Sequence, residues 1–424
     1  MHALPEAVVF ARNHQQIVAL VNLCRHYHVP IISRGAGTGT TGATVPDSGG
    51  IILSFERMRQ ILTIDPANRQ ISAQPGVTNQ AIQHAAAKHH FFWAPDPTSS
   101  AICTIGGNLA YNSAGPRAVK YGTTRDNVLQ LTVVTGKGDT LHTGVKTTKG
   151  VVGYDLLRLL IGSEGTLGII TEATLKLIPI AEHKTTLQIS YDSIQSAAQA
   201  VSDIMAQPVI PCALEFIDKH AINMIRDFST ASLPDNAGAM LMVELDGNKS
   251  TLDEALQSII KAARNSGCID VIQAQSEQER KALWDTRKAL SPALRKIAPK
   301  KINEDVVVPV ANIPQLLDGL DQLSSQYKIP IVNFGHAGNG NIHVNLLTDP
   351  DDVTLQKKVH ECLDKVFELV LKLDGTLSGE HGIGLVKKQY ISKELDSTSL
   401  SYMKGIKQLF DPDNILNPGK SFPD

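Results

Sequence analysis

Residues 33–46 read S-R-G-A-G-T-G-T-T-G-A-T-V-P, and Gly37, Gly39 and Gly42 formally satisfy the G-x-G-x-x-G pattern of a dinucleotide-binding turn. That pattern demands a helix directly after the glycines, because the helix N-terminus supplies the anion site. Here Gly42 is followed by Pro46, Asp47, Gly49 and Gly50 before an apolar run begins at Ile51, which leaves no room for a helix. What remains is a strand, a loop of glycines interleaved with small hydroxyl residues, and another strand. Successive backbone N–H groups of such a loop can converge on a diphosphate. The expectation is therefore a phosphate cradle without a helix; the plainer alternative is a flexible turn.

Working outward, the chain up to Pro179 alternates short β-branched runs with Gly-rich turns, at 7–10, 31–33, 51–55, 70–73, 129–135 and 168–177. Two helices stand out there: Asn13 can cap the apolar spacing Ile17, Leu20, Val21, Cys24, and 79–89 is Ala-rich with helical periodicity. Past Pro179 the texture changes to longer amphipathic helices, such as 194–206 and 252–266, between strands such as 240–245 and 329–334. A final helix is expected over 399–410, followed by a tail, 414–420, that must dock on something else. The reading is an α+β protein with domains at 1–180 and 181–395 and a C-terminal segment, 396–424, packing back on the first.

Composition narrows the classes. A chain of 424 residues exceeds what one core usually organises, so two domains are the natural division. Lys plus Arg number 40 against 42 Asp plus Glu, a net charge of −2 that offers no field for nucleic acid. Five scattered cysteines with no C-x-x-C pair suit a reducing compartment. No apolar run approaches the roughly 18–20 residues of a membrane span, and Met1 is not followed by a signal-peptide layout, so a cytoplasmic protein is expected.

A second set of small-residue runs follows: P-D-P-T-S-S (95–100), T-I-G-G-N-L-A (104–110), N-S-A-G-P (112–116) and G-S-E-G-T-L-G-I-I-T (162–171). They flank apolar segments instead of joining hairpins, which points to backbone approaching a long, flat ligand. Further on, I-P-I-V-N-F-G-H-A-G-N-G-N-I-H-V-N-L-L (329–347) carries Asn339-Gly340, a strong hairpin signal. A two-residue turn there would pair His336 with His343, both imidazoles leaving one face with Asn345 pointing the same way. A pair of surface histidines is the alternative. Glu380-His381, in L-S-G-E-H-G-I-G, offers a third ligand, and two imidazoles with one carboxylate suit Zn²⁺ or Mn²⁺ with a position open to substrate.

The loop R-G-A-G-T-G-T-T-G, the segment T-I-G-G-N-L-A-x-N-S-A-G-P and G-S-E-G-T-L-G-I-I-T resemble the FAD-binding domain of the vanillyl-alcohol-oxidase flavoprotein superfamily. Within it the chain is similar to the branch of the glycolate oxidase FAD subunit, FAD-linked D-lactate dehydrogenase and D-2-hydroxyglutarate dehydrogenase, over nearly its whole length. The resemblance implies a two-subdomain FAD-binding domain and a C-terminal α+β cap domain with an antiparallel sheet flanked by helices. It implies that Arg34, Gly35, Ala36, Gly37, Thr38, Gly39 and Thr40 wrap the FAD pyrophosphate. Pro97, Thr98, Gly106, Gly107, Asn108, Ser113 and Gly115 would line the flavin and its ribityl chain, with Glu164, Gly168 and Ile170 by the adenosine end. The glycine loop holds neither His nor Cys, so dissociable FAD is expected. Members of the branch carry a further leading segment ahead of the point matching Met1, which implies a chain short at its N-terminus.

The same branch implies that His336, His343 and Glu380 are metal ligands and that His381 is the catalytic base. Arg287, in L-W-D-T-R-K-A-L-S (283–291), matches its substrate arginine, with Ser291 one helical turn on and Asn345 as further substrate contacts; a solvated helix arginine is the alternative. Lys301 lies near but is spaced differently from the lysine of dicarboxylate-specific members, so D-lactate or glycolate is favoured over a five-carbon acid. The implied activity is hydride transfer from a small D-2-hydroxy acid to flavin N5. The implied acceptor is a quinone, an electron-transfer flavoprotein, an iron–sulfur protein or a cytochrome, with peripheral membrane attachment through a partner and a homodimer left open. The competing readings are an O₂-using oxidase of the same superfamily, an FAD subunit that only relays electrons, and a nicotinamide-dependent dehydrogenase.

Overall fold

The computed structural model describes residues 3–226, 229, 233, 235–297, 300–349 and 351–422. They form two compact units, one of Met1–Gly115, Gly122–Ile180 and Glu380–Asp424, the other of Pro116–Tyr121 and Ala181–Gly379. The chain thus rejoins the first unit at Glu380, earlier than the boundary expected at 396, and Glu380 and His381 do not belong to the second unit. The cause is local bonding: Ile383 and Gly384 donate their N–H groups to the Glu164 carboxylate at 2.6 and 2.8 Å, and Leu385 donates to the Thr41 carbonyl. Pro116–Tyr121 joins the second unit instead of the first, where the Tyr121 hydroxyl donates to Asp246 at 2.7 Å.

In the first unit, strand Ile51–Ser54 lies between Ala7–Phe10 and Ile31–Arg34 and runs parallel to both. Parallel neighbours need a long connection; residues 35–50 supply it as an irregular glycine loop with no helix, as the sequence implied. A second, antiparallel sheet runs in the order Ile61–Asp65, Gln70–Ala73, Gly168–Lys176, Val128–Thr135, Thr140–Gly144. Its two outermost strands escaped the sequence reading, because edge strands with mixed burial lack a sustained apolar pattern.

Helix His14–Tyr27 starts where Asn13 accepts the Gln16 N–H, and it buries Ile17, Val21 and Cys24, one face at helical spacing. These side chains pack with Ile31 and Leu53 of the small sheet and Val134 and Ile169 of the larger one. The C-terminal tail completes this core with Ile415 and Leu416. Its backbone brackets Ile31, which donates to the Ile415 carbonyl and accepts from the Asn417 N–H. Each such apolar side chain taken out of water contributes about 1.5–3 kcal/mol.

The second unit is built on an antiparallel sheet in the order Cys268–Gln273, His183–Tyr191, Ala239–Gly247, Ala213–Asp218, Ile331–His336, Asn341–Thr348, Lys300–Val307. Helix Ile313–Tyr327 packs beside Ile194–Met205 and Val353–Lys372. Helices Lys219–Ile225 and Glu277–Ile297 cover the sheet face that carries Ile217, Val332, Phe334 and Leu347. Side chains alternate along a strand, so Glu215, His336, His343 and Asn345 share that same face.

The hairpin departs from the expected register. His336 pairs with Asn341, and His343 pairs with Phe334. The turn spans Ala337–Gly340, with Gly340 donating back to Ala337, instead of the two residues Asn339-Gly340. The reason lies just past the end of the neighbouring strand Lys300–Val307, where Val308 donates to the Gly340 carbonyl. Gly340 has φ +75°, and a Cβ on it would meet the Val308 oxygen at 1.8 Å, so only glycine fits. The shift is two residues, an even number, so both imidazoles keep to one face as diagonal neighbours.

Candidate active site

A cleft, part of it open to solvent, lies within the first unit. Its wall is made of small residues from separate segments, among them Gly35, Ala43, Gly107, Ala110, Gly165 and Gly168, together with Ile170. The glycine loop at Gly37–Thr40 is exposed, and the Arg34 guanidinium lies across it at Gly37. Gly107 is informative. A Cβ there would meet nothing nearer than Thr104 Oγ1 at 3.4 Å, so no protein neighbour demands a glycine; a side chain would instead take up room in the cleft. That is what a cradle for a ligand requires.

Other residues expected at this ligand serve the protein itself. Glu164 lines the cleft, but its carboxylate accepts from Ile383, Gly384 and the Ser421 hydroxyl. Burial pushes Glu164 above the usual carboxylate range, against the pull of those bonds. Asn108 is buried, accepting from Asn79 and donating to Cys103 Sγ, and Gly115 is required by its φ of +111° and by Asp96. Asn417, from the tail, also lines the cleft and went unnoticed in the sequence.

In the second unit one carboxylate joins two of the predicted residues. Glu215, 1% exposed on strand Ala213–Asp218, accepts from Arg287 Nε at 2.6 Å and bonds His336 Nδ1 at 2.7 Å. Arg287 is buried on helix Glu277–Ile297, with its guanidinium carbon 5.0 Å from the Phe334 ring centroid, so it is not a solvated helix residue. The rings of His336 and His343 stand edge to face, centroids 5.2 Å apart, with one nitrogen of each within 4.8 Å of the other. Burial alone would raise the Glu215 pKa, but His336 and Arg287 outweigh it and hold the carboxyl below its ordinary value. The Glu215–His336 bond is the orienting contact that metal-binding histidines commonly have, and it makes Nε2 the ring nitrogen a cation would take.

The remaining predicted residues fall around this centre. Asn345 is fully buried and donates to the Val332 and His343 carbonyls while accepting from Asn303, which makes it a strut between strands. Ser291 Oγ accepts from Lys301 at 3.0 Å. Asp305, opposite His343, accepts from the Gly379 N–H at 2.9 Å, and the next peptide bond leads to Glu380. In the first unit the His381 carbonyl accepts from the Thr41 hydroxyl.

The family model described as "FAD linked oxidases, C-terminal domain" matches residues 180–421, and that of an FAD binding domain matches 5–144. The chain belongs to the FAD-linked oxidases. This FAD-linked oxidase is 42% identical to the glycolate oxidase subunit GlcD of Bacillus subtilis, over 99% of this chain and 89% of that protein. It is 35% identical to a D-lactate dehydrogenase of Anaerostipes hadrus, over 99% and 90%. Its fold matches that of p-cresol methylhydroxylase with a TM-score of 0.80 at 16% identity, over 98% of this chain and 88% of that one. The fold is accordingly of the vanillyl-alcohol-oxidase type, and FAD is the cofactor of the family.

Besides Asn417, sequence reasoning missed Glu215 and Asp305 of the FAD-linked oxidase. A signal existed for Glu215: a single acid in the otherwise apolar run A-L-E-F-I (213–217) reads as a buried charge that needs a partner. Asp305, in the largely polar K-I-N-E-D-V-V (301–307), has no such contrast. Among the described residues no helix is long and apolar enough to cross a membrane.

Proposed function

We propose that this FAD-linked oxidase oxidises a small D-2-hydroxy acid, D-lactate or glycolate, to the 2-oxo acid. Bound FAD supplies the hydride acceptor. The observation that carries the reading is Arg287. Its Nε is committed to Glu215, its side chain is fixed over Phe334, and its two terminal nitrogens have no partner among the described residues. A buried guanidinium held in this way offers a substrate carboxylate two parallel N–H donors.

His336 and His343, with Glu380 one peptide bond beyond Gly379, are the proposed holders of a Zn²⁺ or Mn²⁺ ion, whose charge would lower the pKa of a hydroxyl bound to it. The Glu215–His336 bond supports this by fixing the ring and its tautomer. His381 is the proposed acceptor of the hydroxyl proton. The cleft at Gly35, Gly107 and Gly165 is the proposed FAD site, the glycine loop holding the pyrophosphate without a covalent link. Electrons would leave to a quinone, a flavoprotein, an iron–sulfur protein or a cytochrome, and the name of the Bacillus relative favours a role as one subunit of a complex.

A longer dicarboxylate such as D-2-hydroxyglutarate is the second reading. Lys301 favours it, because the sheet brings this lysine to Ser291, one helical turn from Arg287, despite its spacing in sequence. The deciding experiment adds D-lactate, glycolate, D-2-hydroxyglutarate and L-lactate singly to the FAD-loaded protein and follows bleaching of the flavin band. A D-2-hydroxy acid should bleach it, and Arg287→Lys should require far more substrate. If none of the acids bleaches the band, the activity assignment fails.

A further inference from the structure

The C-terminal tail enters the core of the first unit through Ile415 and Leu416 and then turns at Asn417, whose φ of +45° is left-handed. The Asn417 side chain is 2% exposed and lines the cleft. Its Nδ2 donates to the Glu164 carbonyl at 2.7 Å. A carbonyl oxygen can only accept, so this bond settles which end of the amide is nitrogen and leaves Oδ1 as the other end. Oδ1 is buried and has no partner among the described residues. An unpaired buried amide oxygen costs about 1–3 kcal/mol, which a folded protein seldom leaves uncompensated.

We propose that Oδ1 of Asn417 accepts a hydrogen bond from bound FAD, so that the tail is a working wall of the cofactor site. This rests on reading the cleft as the FAD site. The donor is an N–H or O–H of the cofactor, from its ring systems or its sugar chains; the phosphates offer none and are excluded as partners of this atom. Asn suits the position twice over, since it tolerates the left-handed backbone and presents a donor and an acceptor on opposite ends.

The test compares three variants of the full chain, freed of FAD, by flavin fluorescence titration for the FAD dissociation constant and by the thermal midpoint of the apoprotein. Asn417→Gly keeps the left-handed backbone and removes both bonds. Asn417→Asp keeps an acceptor at Oδ1 and removes only the donor to Glu164. Gly107→Val fills the cleft. The expected result is FAD binding weakened about tenfold in Asn417→Gly, the scale of one hydrogen bond, and within about threefold of wild type in Asn417→Asp, while both lower the apoprotein midpoint alike. Equal weakening in the two, or weakening in neither, makes Asn417 a clasp for Glu164 alone and overturns the proposal. Gly107→Val binding FAD like wild type would show instead that the cleft is not the FAD site, and the proposal would fall with that reading.

Discussion

The Glu215 carboxylate, 1% exposed, accepts the Arg287 Nε–H at 2.6 Å, joining two residues 72 positions apart in the chain. Neither charge is tolerable alone in such a place, and each fixes the other's geometry. Because the second carboxylate oxygen bonds His336, one acid orients both the arginine and the nearest imidazole.

Glu215→Gln is expected to keep the fold, since the amide fills the same volume, yet to lower kcat/KM for a hydroxy acid about 10–100-fold, the usual cost of removing an orienting partner. The loss should appear in KM through Arg287 and in kcat through His336, with the visible FAD spectrum unchanged. Steady-state dye reduction checks it; a variant within twofold of wild type would show that Glu215 only neutralises charge.

Removal of divalent metal by a chelator is expected to lower turnover about a thousandfold or more, Lewis-acid stabilisation being worth several kcal/mol. FAD absorbance should be retained, and Zn²⁺ or Mn²⁺ should restore activity. His343→Ala should lose bound metal by elemental analysis. Full turnover in metal-free protein would sink the assignment of His336 and His343 as ligands.

Asp218 is fully buried, and burial raises its carboxyl to about 6 against the N–H bonds from Ala221 and Asn333. The unfolded chain titrates this group near ~3.9, so between about pH 4 and 6 the folded state holds a proton that the unfolded state has lost. Its contribution to stability is present at the acid end of that window and declines as pH rises through it. Denaturant midpoints from pH 4 to 7 for wild type and Asp218→Asn should therefore diverge, wild type losing ground with rising pH. Parallel curves would rule out the raised pKa.

Gly340→Ala forces a Cβ into the Val308 carbonyl at a positive φ. Strain of this kind costs about 1–3 kcal/mol, and more where backbone must move. A lower thermal midpoint is expected, with weaker metal binding because the hairpin tip sets the register of His336 and His343. An unchanged midpoint would mean that the tip repacks freely.

Much of the fold was legible in sequence because it follows from local rules. The apolar periods placed the helix at His14–Tyr27 and the strands around it, and the absence of space between Gly42 and Ile51 excluded a helix after the glycine loop. The common face of His336 and His343 was also legible, because period-two alternation survives a two-residue slip. The slip itself was not, since the hydrogen bond from Val308 that sets it comes from a segment more than thirty residues earlier in the chain.

By itself, then, the sequence determined element types, the absence of a helix after the glycine loop, and the common face of His336 and His343. Tertiary structure alone decided that Glu215 holds Arg287 and His336, that the chain rejoins the first unit at Glu380, and that Asn417 reaches the cleft. Each of these joins residues remote in sequence, and such contacts arise only when the whole core packs: backbone periodicity dictates where a side chain points along its own element, never which distant element will meet it.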